Sequence, residues 1–193
     1  MRRFYKATLG VSVINSRHDK MGARADQLSP YPPISLSPTP QTLDDKRQPA
    51  MKEFIQAAIA QAKTGQSEGG IPIGSVLVKN GQIVGRGRNQ RVQKGDPVTH
   101  AEIDCLRNAG RIGSYRETVL YSTLMPCYLC AGAVVQFGIP KVIAGESETF
   151  GGARDWMEEC GVKVIDLNLE ECKQLMREFI QGNPQLWNED IGE

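Results

Sequence analysis

Histidine is nearly absent from this chain: there are two in 193 residues, His18 and His100. Any chemistry that needs an imidazole has almost no choice of residue. Long apolar runs are missing as well. None approaches the roughly 18 residues of a membrane-spanning helix, and the basic N-terminus is not followed by the apolar core of a secretory signal. No membrane partner is expected, and an intracellular, cytoplasmic location is the default. Five cysteines (Cys105, Cys127, Cys130, Cys160, Cys172) are an odd number at irregular spacing, which argues against a disulfide framework. Cys105, Cys160 and Cys172 sit among apolar neighbours in helix-like segments and are expected to be small buried hydrophobes. A strong charge of either sign is also lacking, since the net charge is +1. Residues 1–48 hold eight Lys/Arg and four Asp/Glu, which leaves fifteen basic and eighteen acidic residues for positions 49–193. The part that reads as folded is mildly acidic, so nucleic acid is not the expected partner.

The length fits one domain with an appendage. Residues 1–48 show no sustained hydrophobic periodicity and contain Pro30, Pro32, Pro33, Pro38 and Pro40, so they read as a disordered or extended segment. The first 18 residues carry Arg2, Arg3, Lys6 and Arg17 and no acid, which is compatible with a mitochondrial presequence. The other reading is that Met51 is the true start. Residues 49–193 form the expected domain. Met51, Phe54, Ile55, Ala58, Ile59 and Ala62 recur at three and four residue intervals, which predicts an amphipathic helix stopped at Gly65. Two β-rich runs then flank Asn80-Gly81, a hairpin signal because both central residues of a type I′ turn need positive φ. A polar loop follows, then helices and strands in alternation: a helix over Thr99–Ala109, the strand TVLYSTL, a helix opened by Pro126, the strand KVIAGE, a helix over Ala153–Cys160, the strand VKVIDL and a helix over Leu169–Ile180. NPQLWNEDIGE is left as a tail. Alternating strands and helices after a hairpin imply an α/β fold, a mixed sheet with helices on both faces.

Chemistry concentrates in TLMPCYLCAGA, where Cys127 and Cys130 stand three apart behind Pro126. A disulfide, a redox pair, a structural metal and a catalytic metal are all open to such a pair. A catalytic zinc takes three protein ligands and leaves one position for water, whereas a structural site fills all four. His18 lies in the extension, so a histidine ligand would be His100, and no second Cys-x-x-Cys offers a fourth ligand. Three ligands is the economical count. Both His100 and Cys127 fall in the first turn of a predicted helix, where backbone N–H groups and the helix dipole favour anions. Glu102, two residues past the histidine, is in reach of a metal-bound water. Thr99-x-x-Glu102 is equally a capping box, and locally the two roles weigh the same. The downstream Pro-Cys-x-x-Cys tips the balance toward catalysis.

THAEID followed by MPCYLC resembles the H-x-E…P-C-x-x-C signature of the zinc-dependent nucleobase deaminases. GGIPIGSVLV, the GRGRN run, FGIPKVIAGE and the ending QLWNEDIGE are similar to the fungal-type cytosine deaminase and its bacterial relatives, over Met51 to Glu193. The resemblance implies a three-layer α/β/α deaminase fold with a central mixed five-stranded sheet, one zinc per subunit and a homodimer. It makes His100, Cys127 and Cys130 the ligands and Glu102 the proton shuttle. Asn89 would orient the pyrimidine, the N–H groups of Ala101 and Cys127 would lie beside the reacting centre, and Ile73, Phe150, Trp187 and Asp190 would enclose the ring and its N1 edge. Outside the family register these have ordinary readings: a loop-capping amide, core aromatics, a solvated charge. The fungal type usually reads H-G-E and S-P-C where this chain has Ala101 and Met125, and Met125 bears on a pocket wall and so on substrate choice.

The implied reaction is hydrolysis of a free base, cytosine to uracil and ammonia, in pyrimidine salvage. An acceptor at N1 favours the free base, because the N1 of cytidine carries ribose and has no proton to give. A tRNA adenosine deaminase or another nucleoside or purine deaminase is the alternative enzyme, with FGGARD at Phe150–Asp155 in its favour and the acidic domain against it. A protein with purely structural zinc would have no use for Glu102, and a thiol redox protein would have none for bound metal.

Overall fold

The computed structural model describes residues 40–192, with side chains from residue 51 onward. The expected extension lies, over residues 1–39, outside the described residues. Helix α1 (Pro40–Ser67) begins eleven residues before the expected start at Met51 and runs through Pro49, where one lost N–H does not end it. Phe54, Ile55, Ala58, Ile59 and Ala62 are all buried, as their spacing demands. The helix also passes Gly65; the chain turns at Gly69, whose φ of 84° suits a residue without a side chain. Strands β1 (Gly74–Lys79) and β2 (Gln82–Arg88) form the predicted hairpin, with φ of 52° at Asn80 and 75° at Gly81, and a bulge between Leu77 and Val78.

The rest alternates as expected: α2 (Arg91–Lys94), α3 (Ala101–Ala109), β3 (Thr118–Ser122), α4 (Tyr128–Phe137), β4 (Lys141–Ala144), α5 (Arg154–Glu159), β5 (Lys163–Asp166), α6 (Glu170–Gly182) and α7 (Pro184–Ile191). Two elements depart from expectation. The polar loop contains the single turn α2, and the tail is a helix, opened by Pro184 in its first turn. The sheet order is β2-β1-β3-β4-β5, with β1 antiparallel to both neighbours and β3, β4 and β5 parallel.

Period-two alternation splits the strand residues between two cores. Val76, Val78, Tyr121 and Ile143 pack under α1 and α6, against Ile55, Ile59, Cys172 and Leu175. Leu77, Leu120, Val142 and Val164 face the other way, against Cys105, Leu106, Val134 and Met157 of α3, α4 and α5. This is the three-layer arrangement. Each fully buried Ile or Leu contributes about 1.5 to 3 kcal/mol relative to exposure. Two glycines let the helices rest on the hairpin backbone: a Cβ on Gly74 would lie 2.1 Å from Ala58 O in α1, and one on Gly87 would lie 2.1 Å from Cys105 N in α3. Among the spare cysteines, Cys105 and Cys172 are buried as expected, but Cys160 is exposed because it closes α5 and leaves the apolar face.

Candidate metal centre and active site

The close seat of α3 on β2 fixes the ends of two helices beside each other. His100 is the N-cap residue of α3 and Cys127 that of α4, and Cys130 lies one turn into α4, fully buried. One ligand atom from each comes within 4.8 Å of the other two, and Cys127 Sγ lies 3.5 Å from His100 Nδ1. Two soft thiols and an imidazole at this spacing fit zinc, and among the described residues the group holds three donors with no fourth beside them. The electrostatics agree. The hydrogen bond from Cys130 brings Cys127 down to about 4, aided by His100, while the same bond and burial hold the Cys130 thiol well above its usual value. Burial opposes the imidazolium of His100, but its hydrogen bond with Cys127 and the charges of Glu102 and Asp190 outweigh that and raise its pKa.

Glu102 does not form the capping box that the sequence allowed. The N-terminus of α3 has no side-chain cap, and the Thr99 hydroxyl donates to Asp96 instead. Glu102 is 3% exposed and accepts a hydrogen bond from Ser122 Oγ at 2.9 Å on Oε1. Burial, then the charge of Cys127, raises its pKa against the opposing pull of His100. It lines the same small cavity as His100 and Cys127 without belonging to the ligand group. This is a buried carboxylate held beside the ligand group.

The far side of the cavity comes from the ends of the chain's elements. Ile73, Ala101, Phe150, Trp187 and Asp190 line it as the resemblance implied, joined by Leu124, Met125 and Ile191. Trp187 and Phe150 meet edge to face with centroids 6.1 Å apart. Trp187, Asp190 and Ile191 share one face of α7 at i, i+3 and i+4, so α7 forms that wall of the cavity. The room left for the centre of a water-sized sphere is about 20 Å³, that of one water molecule. Asn89 is fully buried but stands behind this lining: its Nδ2 donates to Asp190 Oδ1 at 3.2 Å, and its Oδ1 accepts from Arg91 N. Sequence reading missed Ser122, Ile191 and Arg91. Ile191 was legible, since reading the tail as a helix puts it on the face of Trp187.

A family model described as the cytidine and deoxycytidylate deaminase zinc-binding region matches residues 49–146. The chain belongs to this deaminase family. It is 43% identical over 155 residues to a cytosine deaminase of Candida albicans, covering 79% of this chain and 99% of that one. It is 35% identical over 133 residues to a tRNA-specific adenosine deaminase of Buchnera aphidicola, covering 67% and 85%. Among solved structures, one from a study of A-to-I editing by tRNA:A34 deaminases superimposes with a TM-score of 0.59 at 27% identity, covering 64% of this chain and 99% of that chain. A guanine deaminase from Nitrosomonas europaea, TM-score 0.58 at 19% identity over 65% and 82%, shares the fold. The deaminase is thus a zinc hydrolase of C–N bonds, and its family register falls on the cluster that the geometry singles out.

Proposed function

We propose that this deaminase converts the free base cytosine to uracil and ammonia. The observation that carries the reading is the small pocket, with Glu102, His100 and Cys127 of the ligand group on one wall and Trp187 and Asp190 of α7 on the other. Similarity to the Candida albicans protein over nearly its whole length supports the same substrate.

When bound, zinc lowers the pKa of water to around 7 and supplies hydroxide at neutral pH. Glu102 takes the proton of the attacking water and delivers it to ring N3 as the new C4–O bond forms. The same carboxylate then carries a proton to the amine, the C4–N bond breaks and ammonia leaves. One group serves both transfers because Ser122 holds it facing the ring. The N–H groups at the start of α3 and α4 favour the negative charge that develops at the reacting centre. Asp190 already accepts from Asn89 and Arg91 on Oδ1, and a carboxylate has lone pairs to spare for the N1–H of the ring. Asn89, behind the lining, acts through Asp190, whose Oδ1 its amide holds at 3.2 Å. A base with ribose at N1 would meet the lid, and even a bare ring needs α7 to move for entry and exit, which makes product release a candidate for the slow step.

The deaminase acts as a homodimer in this reading. Tyr128, Leu129 and Phe137 of α4 are 67%, 45% and 47% exposed, an apolar stripe suited to a second copy. Sedimentation at micromolar concentration should give twice the chain mass, and a monomer there contradicts this. Uracil made in the cytoplasm would serve pyrimidine salvage, which growth on cytosine as sole pyrimidine source would reveal. The deciding experiment is an ammonia-release screen of purified protein on free bases, nucleosides and tRNA. Cytosine should be turned over best, and turnover of tRNA without turnover of cytosine overturns the assignment.

A further inference from the structure

The lid has few polar anchors. Among the described residues, the hydrogen bonds and ion pairs that side chains of α7 make to other parts of the chain end on two residues, Asn89 and Arg91. Arg91 carries most of them. Its Nη1 donates to Asp190 Oδ1 at 2.6 Å, its Nη2 to Glu189 Oε1 at 3.1 Å, and its Nε to the carbonyl of Pro97 at 3.1 Å. The guanidinium therefore spans from the lid to the loop that leads into His100. Its side chain is 11% exposed and that of Asp190 4%, so this pair is shielded from solvent, while Glu189 is 67% exposed and adds little. Neither the family signature nor the pocket lining assigns Arg91 a role.

We propose that Arg91 is the latch of the C-terminal lid. Its planar fork holds α7 closed and turns Asp190 toward the ring, so Arg91 is a positioning residue for substrate capture and product exit. This rests on the reading of the pocket as the ring's site. The three-way geometry is what Arg supplies and Lys does not. A lysine ammonium is a single point on a flexible stem and cannot meet Asp190, Glu189 and Pro97 in one plane.

The test uses the full-length zinc protein carrying Trp156→Phe, so that Trp187 is its one tryptophan, with Arg91→Met and Arg91→Lys added singly. Two readings are taken: quenching of Trp187 by acrylamide without substrate, and the split between kcat and KM for cytosine. Opening the latch should raise the quenching constant of Arg91→Met about threefold and its KM about tenfold, with kcat within about threefold, because a desolvated ion pair is lost while the chemical groups are untouched. Zinc content should stay that of the parent, and Arg91→Lys should fall between the two. If Arg91→Met does not fold, Arg91→Lys carries the same comparison against the parent. Unchanged quenching and KM, even with a lower melting temperature, overturn the latch and leave Arg91 as a surface tie. A fall in kcat at unchanged KM overturns it too, since Arg91 would then act in the chemical step. A parent that deaminates no free base defeats the pocket reading alone, and the quenching comparison still decides on the latch.

Discussion

Glu102→Gln exchanges one carboxylate oxygen for an amide nitrogen at nearly constant size. The Ser122 hydroxyl that donates to Oε1 at 2.9 Å can donate to the amide oxygen as well, so the geometry survives. What is lost is the ability to take and give a proton. Positioned acid–base groups contribute about 10² to 10⁴ in rate. Because one carboxylate serves both transfers here, the upper end applies, and 10⁴ corresponds to about 5.4 kcal/mol at 1.36 kcal/mol per decade. Stability should move the other way. At 3% exposure the charged carboxylate is penalised by burial, and the amide removes that penalty, so the melting temperature should hold or rise. Were Glu102 only a helix cap, glutamine would serve as well, since a capping box takes either residue, and turnover would stay intact. Uracil formation followed by absorbance, calorimetric melting and zinc analysis of the same preparations separate the two. Turnover within tenfold of the parent refutes the proton-shuttle role.

Removal of a ligand, by His100→Ala or Cys127→Ser, should take zinc from about one per chain to none and abolish activity together with it; full activity in zinc-free protein sinks the metal assignment. A chain beginning at Met51 keeps Phe54, Ile55, Ala58, Ile59 and Ala62 of α1 and should melt within a few degrees of the full chain with its zinc retained, whereas insolubility would show that the residues before it contribute to the core. Asp190→Ala should lower kcat/KM for cytosine about 10-fold to 100-fold, the equivalent of an unpaired buried donor at about 1 to 3 kcal/mol, and should narrow the gap between cytosine and cytidine without loss of zinc. If the two substrates keep their ratio, the free-base assignment loses its physical support.

What was legible follows from how local each signal is. The Asn80-Gly81 turn, the apolar spacing of α1 and the Cys-x-x-Cys pair are decided within a few residues, and all three stand where the sequence put them. The start of α1 was misplaced because Pro49 is a strong breaker by propensity, and a helix that gives up one bond there still continues. Cys160 was misjudged because its apolar neighbours point inward while the C-cap position itself points out. The tail was missed as a helix because eight residues that include charged Glu189 and Asp190 are marginal alone; they fold by packing Trp187 on Phe150 and by pairing Asp190 with Arg91, both of which are distant in sequence. The role of Ser122 toward Glu102 was invisible for the same reason, since a strand-end serine carries no periodicity.

Those distant contacts form a polar circuit around the pocket, beside the apolar cluster in which Ile73, Leu124, Met176, Phe179 and Trp187 pack. Asp104 of α3, 2% exposed, accepts hydrogen bonds from Arg88 N and from Gln90 Nε2, both at 3.2 Å, and so pins the chain on either side of Asn89. Asn89 and Arg91 in turn hold Asp190 on the lid. The helix that presents His100 and Glu102 is therefore tied, through one short loop, to the helix that closes over the ring. The two walls of the pocket share a support, and a ring bound between them would stabilise both ties at once. On the proposed function, this shared support would couple closure of α7 over a substrate to alignment of the Glu102 carboxylate.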